Sequence, residues 1–186
     1  TLQRRRRVLA RRLKVPPTLN MFWSHSLDLS NKNELFKFAR RYKPEGRKEK
    51  RERLRKDAQA KAKDPKAQPT PPKKNELKCG IQRVTRLIEH GRAKFVMIAS
   101  DVEPIEIVLW MPALCHKMGI PFCLIKGKAS LGRLVGYKNA TCCCFVNIRA
   151  EDQSQFGKLT EACGQSYEDI KKNWGGLEKG RKAKKV

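Results

Sequence analysis

A break in composition near residue 78 constrains this chain more than any other feature. Residues 1–78 carry 25 Lys and Arg against 8 Asp and Glu, a net of +17, with apolar side chains thinly spread among them. Residues 79–149 carry a net of +6 and residues 150–186 a net of +2, so the first 40% of the chain holds about two-thirds of the total +25. A segment charged in this way cannot bury enough apolar surface by itself to offset its ordering entropy. A self-sufficient core is therefore expected only after residue 78. With 39% hydrophobic and 33% charged residues over 186 positions, the chain can build one modest core and use the rest of its length as extensions. A membrane span is excluded, because the apolar runs fall far short of the roughly 18 residues that a span needs. A net charge of +25 on 21.4 kDa disfavours the compact state until a polyanion neutralises it, which points to nucleic acid or an anionic membrane. A membrane-surface helix needs a broad apolar face, and residues 1–15 and 47–63 have none.

Within the basic part, Arg4, Arg5, Arg6, Arg7, Arg11, Arg12 and Lys14 interleave with Val8, Leu9, Leu13 and Val15, the pattern of a helix with a thin apolar stripe that Pro16-Pro17 ends. Residues 18–43 hold Leu19, Met21, Phe22, Trp23, Leu35, Phe36 and Phe38, enough apolar surface to dock on something and too little for an independent core. Phe22, Trp23 and Trp174 are either docking anchors for a partner or pack back on this protein's own core. Arg47–Lys63 reads as a solvated or RNA-contacting helix, and the Pro-rich residues up to 74 as an extended linker. Thr1–Arg7 contains no apolar signal segment.

Beyond residue 78 helical and strand patterns alternate. Ile81, Val84, Leu87 and Ile88 recur at helical spacing, and Gly91 closes that helix. Phe95–Ile98, Phe122–Ile125 and Thr141–Ile148 read as strands. Pro104 is expected at the first position of a helix running from Ile105 toward Met118, kinked or interrupted at Pro112. Lys126–Ser130 reads as a loop before a short helix Leu131–Val135 closed by Gly136, and Glu151–Cys163 as a helix followed by a helical piece at Tyr167–Lys172. Short connections between alternating elements imply an α/β/α three-layer domain, with 1–77 as basic extension and linker, 78–165 as core and 166–186 as a helical piece and tail.

No catalytic constellation is present. His25, His90 and His116 sit in no motif, and neither G-x-S-x-G nor H-E-x-x-H occurs. Gly127-Lys128 imitates a phosphate loop, but Phe122 occupies the partner glycine position and Ala129 the place of the Ser/Thr that would hold magnesium. Asp101, Glu103 and Glu106 are explained by capping and helix-dipole effects. Seven cysteines without a C-x-x-C pair, three of them consecutive at 142–144, read as reduced small hydrophobes of a reducing compartment on alternating strand faces, not as a zinc site or disulfides. A methyltransferase would need a glycine-rich cofactor loop, and none is visible. No metal, cofactor or small-molecule substrate is expected.

Groups suited to a polyanion, by contrast, collect at loops. Gly80, Gln82, Arg83 and Arg86 lie at and near a helix N-terminus, where exposed amides suit phosphate and Gln and Arg can reach base edges. Lys126 and Lys128 flank Gly127 directly after a strand, Arg133 lies on the next helix, and Tyr137-Lys138-Asn139 follow Gly136. Tyr137 offers a ring on which a splayed base can stack.

The strings KFVMIASDVEPIEIV, MPALCHKMGIPFCLIKGKASLGRLVG and TCCCFVNI resemble the kink-turn RNA-binding family of ribosomal and small nucleolar proteins. RRLKVPPTLN, RYKPEGRKEKRERL and NWGGLEKG look like a eukaryotic large-subunit ribosomal member of it, and the likeness runs from about Leu2 to Gly180. The resemblance implies a sandwich around a mixed four-stranded sheet, no enzymatic activity, and a place in the cytosolic large ribosomal subunit, with passage through the nucleolus during assembly. The implied partners are large-subunit ribosomal RNA and neighbouring large-subunit proteins; a nucleolar ribonucleoprotein subunit of the same fold is the alternative. It also implies that Gly80 to Arg86, the Asp101-Val102-Glu103 turn and the Val135 to Ala140 loop grip a sharply bent RNA. One departure stands out. The family's Gly-x-Asn-Glu helix start is Gly80-Ile81-Gln82-Arg83 here. Gln is a longer amide and Arg reverses the charge of Glu, so Arg83 is expected to hold phosphate in place of the standard readout.

Overall fold

The computed structural model describes residues 1–63 and 77–180. The linker expected before residue 74 lies almost wholly outside them, as does the end of the basic tail. Four strands form one mixed sheet: β1 (Lys78–Cys79), β2 (Phe95–Ala99), β3 (Phe122–Ile125) and β4 (Cys142–Phe145), in the order β1-β4-β2-β3. β2 and β3 run parallel, and β4 is antiparallel to both of its neighbours. Every residue of β2, β3 and β4 is buried, as continuous apolar runs covered on both faces must be. The two-residue β1 carries no apolar alternation, so no periodicity marks it as a strand; its register with β4 (Lys78 opposite Cys144, Cys79 opposite Cys143) places it.

Helices cover both faces. Phe95 and Phe145 lie opposite each other in the register and meet Phe156 of α9 (Gln153–Cys163), while Phe145 also meets Phe38 of α3 (Leu29–Arg41), ring centroids standing 5.6–6.4 Å apart. α8 (Lys128–Val135) packs beside α3 on this side. The opposite side is covered by α5 (Ile81–Glu89) and by α7 (Met111–Lys117), with α10 (Tyr167–Ile170) against α7. The consecutive cysteines alternate as a strand requires: Cys142 and Cys144 lie near Cys115 of α7, and Cys143 faces Cys79 of β1. Burial pushes the Cys115 thiol up to about 12, that of Cys142 to about 11 and that of Cys144 to about 12, so these groups stay protonated packing atoms.

The N-terminal part is not a mere appendage. Pro16 is extended and Pro17 sits in the first turn of α2 (Pro17–Ser24), so the proline pair starts a helix as well as following α1 (Leu2–Arg12). Met21 and Phe22 of α2, Leu35, Phe38 and Ala39 of α3, and Tyr42 are nearly inaccessible and belong to the same core as the sheet. The apolar residues of 18–43 thus dock on this chain's own sandwich, ahead of the expected boundary at 77. Phe22 is buried at 2% exposure, whereas Trp23 and Trp174 remain 55% exposed. The Leu27 N–H donates to the Leu124 carbonyl at 2.8 Å, closing part of the open edge of β3. α1 buries no residue. α4 (Arg47–Lys63) is solvated except at Asp57, where Arg53 bridges Glu45 at 2.9 Å and Asp57 at 3.6 Å.

Several local expectations are corrected. The Glu103–Pro104 peptide is cis and the next helix, α6 (Glu106–Leu109), begins two residues later, so Pro104 is a turn residue and not a first helical position. The span toward Met118 is two helices, broken at Trp110; Pro112 has no N–H for the Val108 carbonyl and instead occupies the first turn of α7. Lys128, Ala129 and Ser130, expected in a loop, form the first turn of α8. β4 is shorter than the apolar run around it. Among the described residues no helix is long and apolar enough to cross a membrane, and no group of three or more His, Cys, Asp or Glu could hold a metal ion.

Candidate nucleic-acid interface

Strand direction alone assembles the site. β2 and β3 end at the same edge of the sheet, where β4 begins and β1 ends. A single row of hydrogen bonds marks that edge: Gly80 N–H to the Cys142 carbonyl at 3.3 Å, Ala99 N–H to Thr141 at 2.8 Å, and Ser100 N–H to Ile125 at 3.0 Å. The start of α5, the Asp101–Glu103 turn, the Lys126–Lys128 segment and the loop before Thr141 therefore emerge side by side. At about 4.8 Å per strand the row is roughly 15 Å long.

At one end of this row stands α5. Gly80 is its N-cap and has no side chain to cap it, and among the described residues no other side chain is seen to do so, so its first-turn amides keep their positive field directed outward. Gln82, Arg83 and Arg86 are exposed and line a cleft of about 620 Å³ with Arg92, Lys78 and Asn147. Arg83 also lines a second cleft, of about 320 Å³, whose other walls include Lys43, Glu45, Arg47, Lys78, Val135, Gly136 and Tyr137. The helix start and the 135–137 loop, far apart in sequence, share one cavity.

The loop owes its position to a missing side chain. Gly132 is buried in α8, and a Cβ there would lie 2.7 Å from the carbonyl oxygens of Tyr137 and Lys138 and 2.8 Å from the Asn139 Cα. The chain turns back through Gly136, in the left-handed conformation at φ 81°, and lies across α8. Tyr137 N–H donates to the Gly132 carbonyl at 2.9 Å and Ala140 N–H to the Lys128 carbonyl at 3.0 Å. Tyr137 and Lys138 are thereby held outward, the tyrosine 54% exposed. Val135 is only 7% exposed; it supports the loop from below and offers a ligand little surface.

The acidic turn has a different task from the one expected of it. Asp101 Oδ1 accepts the Lys128 N–H at 2.6 Å, capping α8 and not the helix that follows it in sequence. That carboxylate occupies the α8 N-terminus and leaves the α5 N-terminus as the uncapped one of the pair. Val102 is buried and anchors the turn, while Glu103 stays exposed. Lys126 is exposed at the far end of the row, its carbonyl accepting Lys32 Nζ at 2.9 Å; Lys128 is half-buried, and Arg133 projects from α8 toward α3.

Arg4, Arg5, Arg7, Arg11, Arg12 and Lys14 are all exposed, and α1 is tied to the C-terminal segment and not to the sheet edge. Val15 and Gly175 exchange backbone hydrogen bonds at 2.9 and 3.0 Å, Glu178 N–H donates to the Arg11 carbonyl at 3.1 Å, and Lys14 Nζ stands 4.3 Å over the Trp174 ring. These cations form a basic surface separate from the loop row.

The family model described as "Ribosomal protein L7Ae/L30e/S12e/Gadd45 family" matches residues 62–156, just over half of the chain. The chain belongs to that family. The Ribosomal protein L7Ae/L30e/S12e/Gadd45 family includes RNA-binding ribosomal and ribonucleoprotein proteins. Its match covers all four strands, α5 and α8, hence the whole row of loops. Lys43 and Lys78 escaped the sequence reading, and Arg47 was read only as part of a solvated or RNA-contacting helix. The packing of α3 against the sheet carries Lys43 to the cleft, whereas the pairing of β1 with β4 places Lys78 there.

Proposed function

We propose that this chain is a structural constituent of the cytosolic large ribosomal subunit, of the kind represented by the eukaryotic ribosomal protein L-seven-a, and that it binds and stabilises folded large-subunit ribosomal RNA. The observation that carries this reading is the loop row: α5 amides that no described side chain caps, Arg83 and Tyr137 around one cavity, and surrounding cations, with Asp101 engaged by a backbone amide and Glu45 by Arg53 while Glu103 stands exposed. Phosphate is held by Arg83 and the α5 amides, Tyr137 stacks a base, and Lys43, Arg47 and Lys138 steer the strand into place. The basic surface of α1 contacts further phosphates, and the exposed Trp23 and Trp174 meet neighbouring large-subunit proteins. Assembly in the nucleolus and residence on cytoplasmic ribosomes follow from that role. A nucleolar ribonucleoprotein subunit would use the same loop row, but the basic N-terminal part, with its motifs and its packing into the sandwich, favours the ribosomal reading. Co-sedimentation tests it: the protein should travel with large subunits through high salt, and its appearance only in small nucleolar particles would overturn the assignment.

A further inference from the structure

The loop row is not where positive charge ends. α3 buries Leu35, Phe38 and Ala39 on one face, while Lys32, Phe36 and Arg40, four residues apart, form a stripe on another. That stripe faces α8 across a groove of about 510 Å³, and Arg133 projects from the α8 wall. Lys43 closes the groove's end. Lys32, Arg40, Lys43 and Arg133 thus line one concavity, and among the described residues no acidic one lines it. Lys32 is fixed there by the Lys126 carbonyl and stands 5.5 Å over the Phe36 ring. Cations on two facing walls repel one another unless an anion lies between them. Lys43 also lines the cleft that holds Arg83 and Tyr137, and it lies 3.9 Å from where a Gly136 Cβ would stand. The groove is therefore continuous with the loop row.

We propose that the α3–α8 groove is a second RNA site, which carries the phosphate backbone of the duplex arm that leaves the loop row. This rests on the RNA reading above and extends it to a face outside the α5 start and the two loops. Charge complementarity and the shared Lys43 favour an RNA arm over an acidic peptide. The path bends round the end of α3, so one arm of a bent RNA lies along α5 and the other along α3.

The test uses the full chain and two hairpins built on one sharply bent internal loop of large-subunit ribosomal RNA, one with arms of about four base pairs and one with an arm lengthened by about ten. Wild type should bind the long-armed hairpin more tightly. The double variant Lys32→Gln, Arg40→Gln should lose that gain, bind the short-armed hairpin as wild type does, and melt at the wild-type temperature. Each lost phosphate contact flattens the salt slope by about 0.9, so the long-armed complex of the variant should change about twelvefold less between 50 and 200 mM salt. Wild-type behaviour of the variant on both hairpins would overturn the second site, as would an equal loss on both. A polyglutamate peptide that binds wild type, loses affinity in the variant and leaves long-armed RNA binding untouched would assign the groove to an acidic peptide and overturn the proposal. Failure of wild type to bind either hairpin would overturn the RNA reading itself, and this inference with it.

Discussion

Gly132→Ala separates the architecture of the interface from its charge. The substitution adds one methyl group and changes no ionisable residue. In the α8 interior, alanine gains up to about 1 kcal/mol of helix propensity over glycine. Against this, the new Cβ would stand 2.7 Å from two carbonyl oxygens, where ordinary contact begins at 3.4 Å. The Tyr137–Asn139 backbone must retreat by about 0.7 Å, and it cannot do so without stretching the Tyr137–Gly132 and Ala140–Lys128 hydrogen bonds. Overpacking of this kind costs about 1–3 kcal/mol, so the net stability change is a loss of about 0–2 kcal/mol. The effect on RNA should be larger relative to its cause. Displacing Tyr137 removes base stacking worth about 1–3 kcal/mol, a loss of roughly five- to 150-fold in affinity. Isothermal titration with a structured ribosomal RNA fragment gives the affinity, and urea unfolding followed by circular dichroism gives the stability. A Gly132→Ala protein that binds RNA with wild-type affinity would refute the claim that the close approach positions Tyr137 for binding.

Arg83→Glu should weaken RNA binding at least tenfold and flatten its salt dependence by about one phosphate; tighter binding to a kink-turn would show instead that the family's acidic contact had been the missing element. Asp101→Ala removes the cap on α8 and should cost about 0.5–2 kcal/mol in urea unfolding, a value that an unchanged midpoint would contradict. Tyr42 Oη and Arg41 Nη1 both donate to the buried Asp152 carboxylate at 2.7 Å, and the Tyr42 hydroxyl, ahead of Arg41, holds this carboxyl below its ordinary value of 3.8. Because the folded-state value is the lower one, this contribution is present above the ordinary carboxylate range and fades as pH falls through the folded value. Acid titration of the unfolding midpoint should therefore be less steep below about pH 4 in Asp152→Asn than in wild type, and equal slopes would remove Asp152 from the acid response. Deleting residues 1–12 should leave the melting transition cooperative while reducing the salt slope of RNA binding, whereas deleting 1–43 should abolish cooperative melting, because Met21, Phe22, Leu35, Phe38 and Tyr42 leave the core with it. A cooperative melt of the longer deletion would show that the sandwich stands without its N-terminal helices.

Much of the fold is visible in residue patterns because burial on both faces demands it. Phe95–Ala99 and Phe122–Ile125 read as strands for that reason, and the Ile81–Ile88 periodicity as a helix. The two-residue β1 is defined by its partner and not by its own residues, so only the resemblance anticipated a fourth strand. The expected division at residue 77 followed net charge, and charge does not report which side of a helix is buried: α3 is basic on its outer face and fills the core with Leu35 and Phe38 on its inner one. At the loop row, residues with side chains suited to RNA could be named from type and spacing. Their convergence depends on strand direction, the Asp101 cap is a contact across 27 positions, and the close approach at Gly132 depends on a chain turn that no local pattern encodes. Lys43 was hidden by the same non-local packing.

Photochemical cross-linking of the full chain bound to large-subunit ribosomal RNA, with the linked peptides identified by mass spectrometry, tests the central claim most directly. Cross-links should concentrate in the peptides that contain Gln82–Arg86 and Tyr137-Lys138. Cross-links confined to α1 and α4, with none at the sheet edge, would show that RNA is held by the basic helices alone and that the converging loops serve something else.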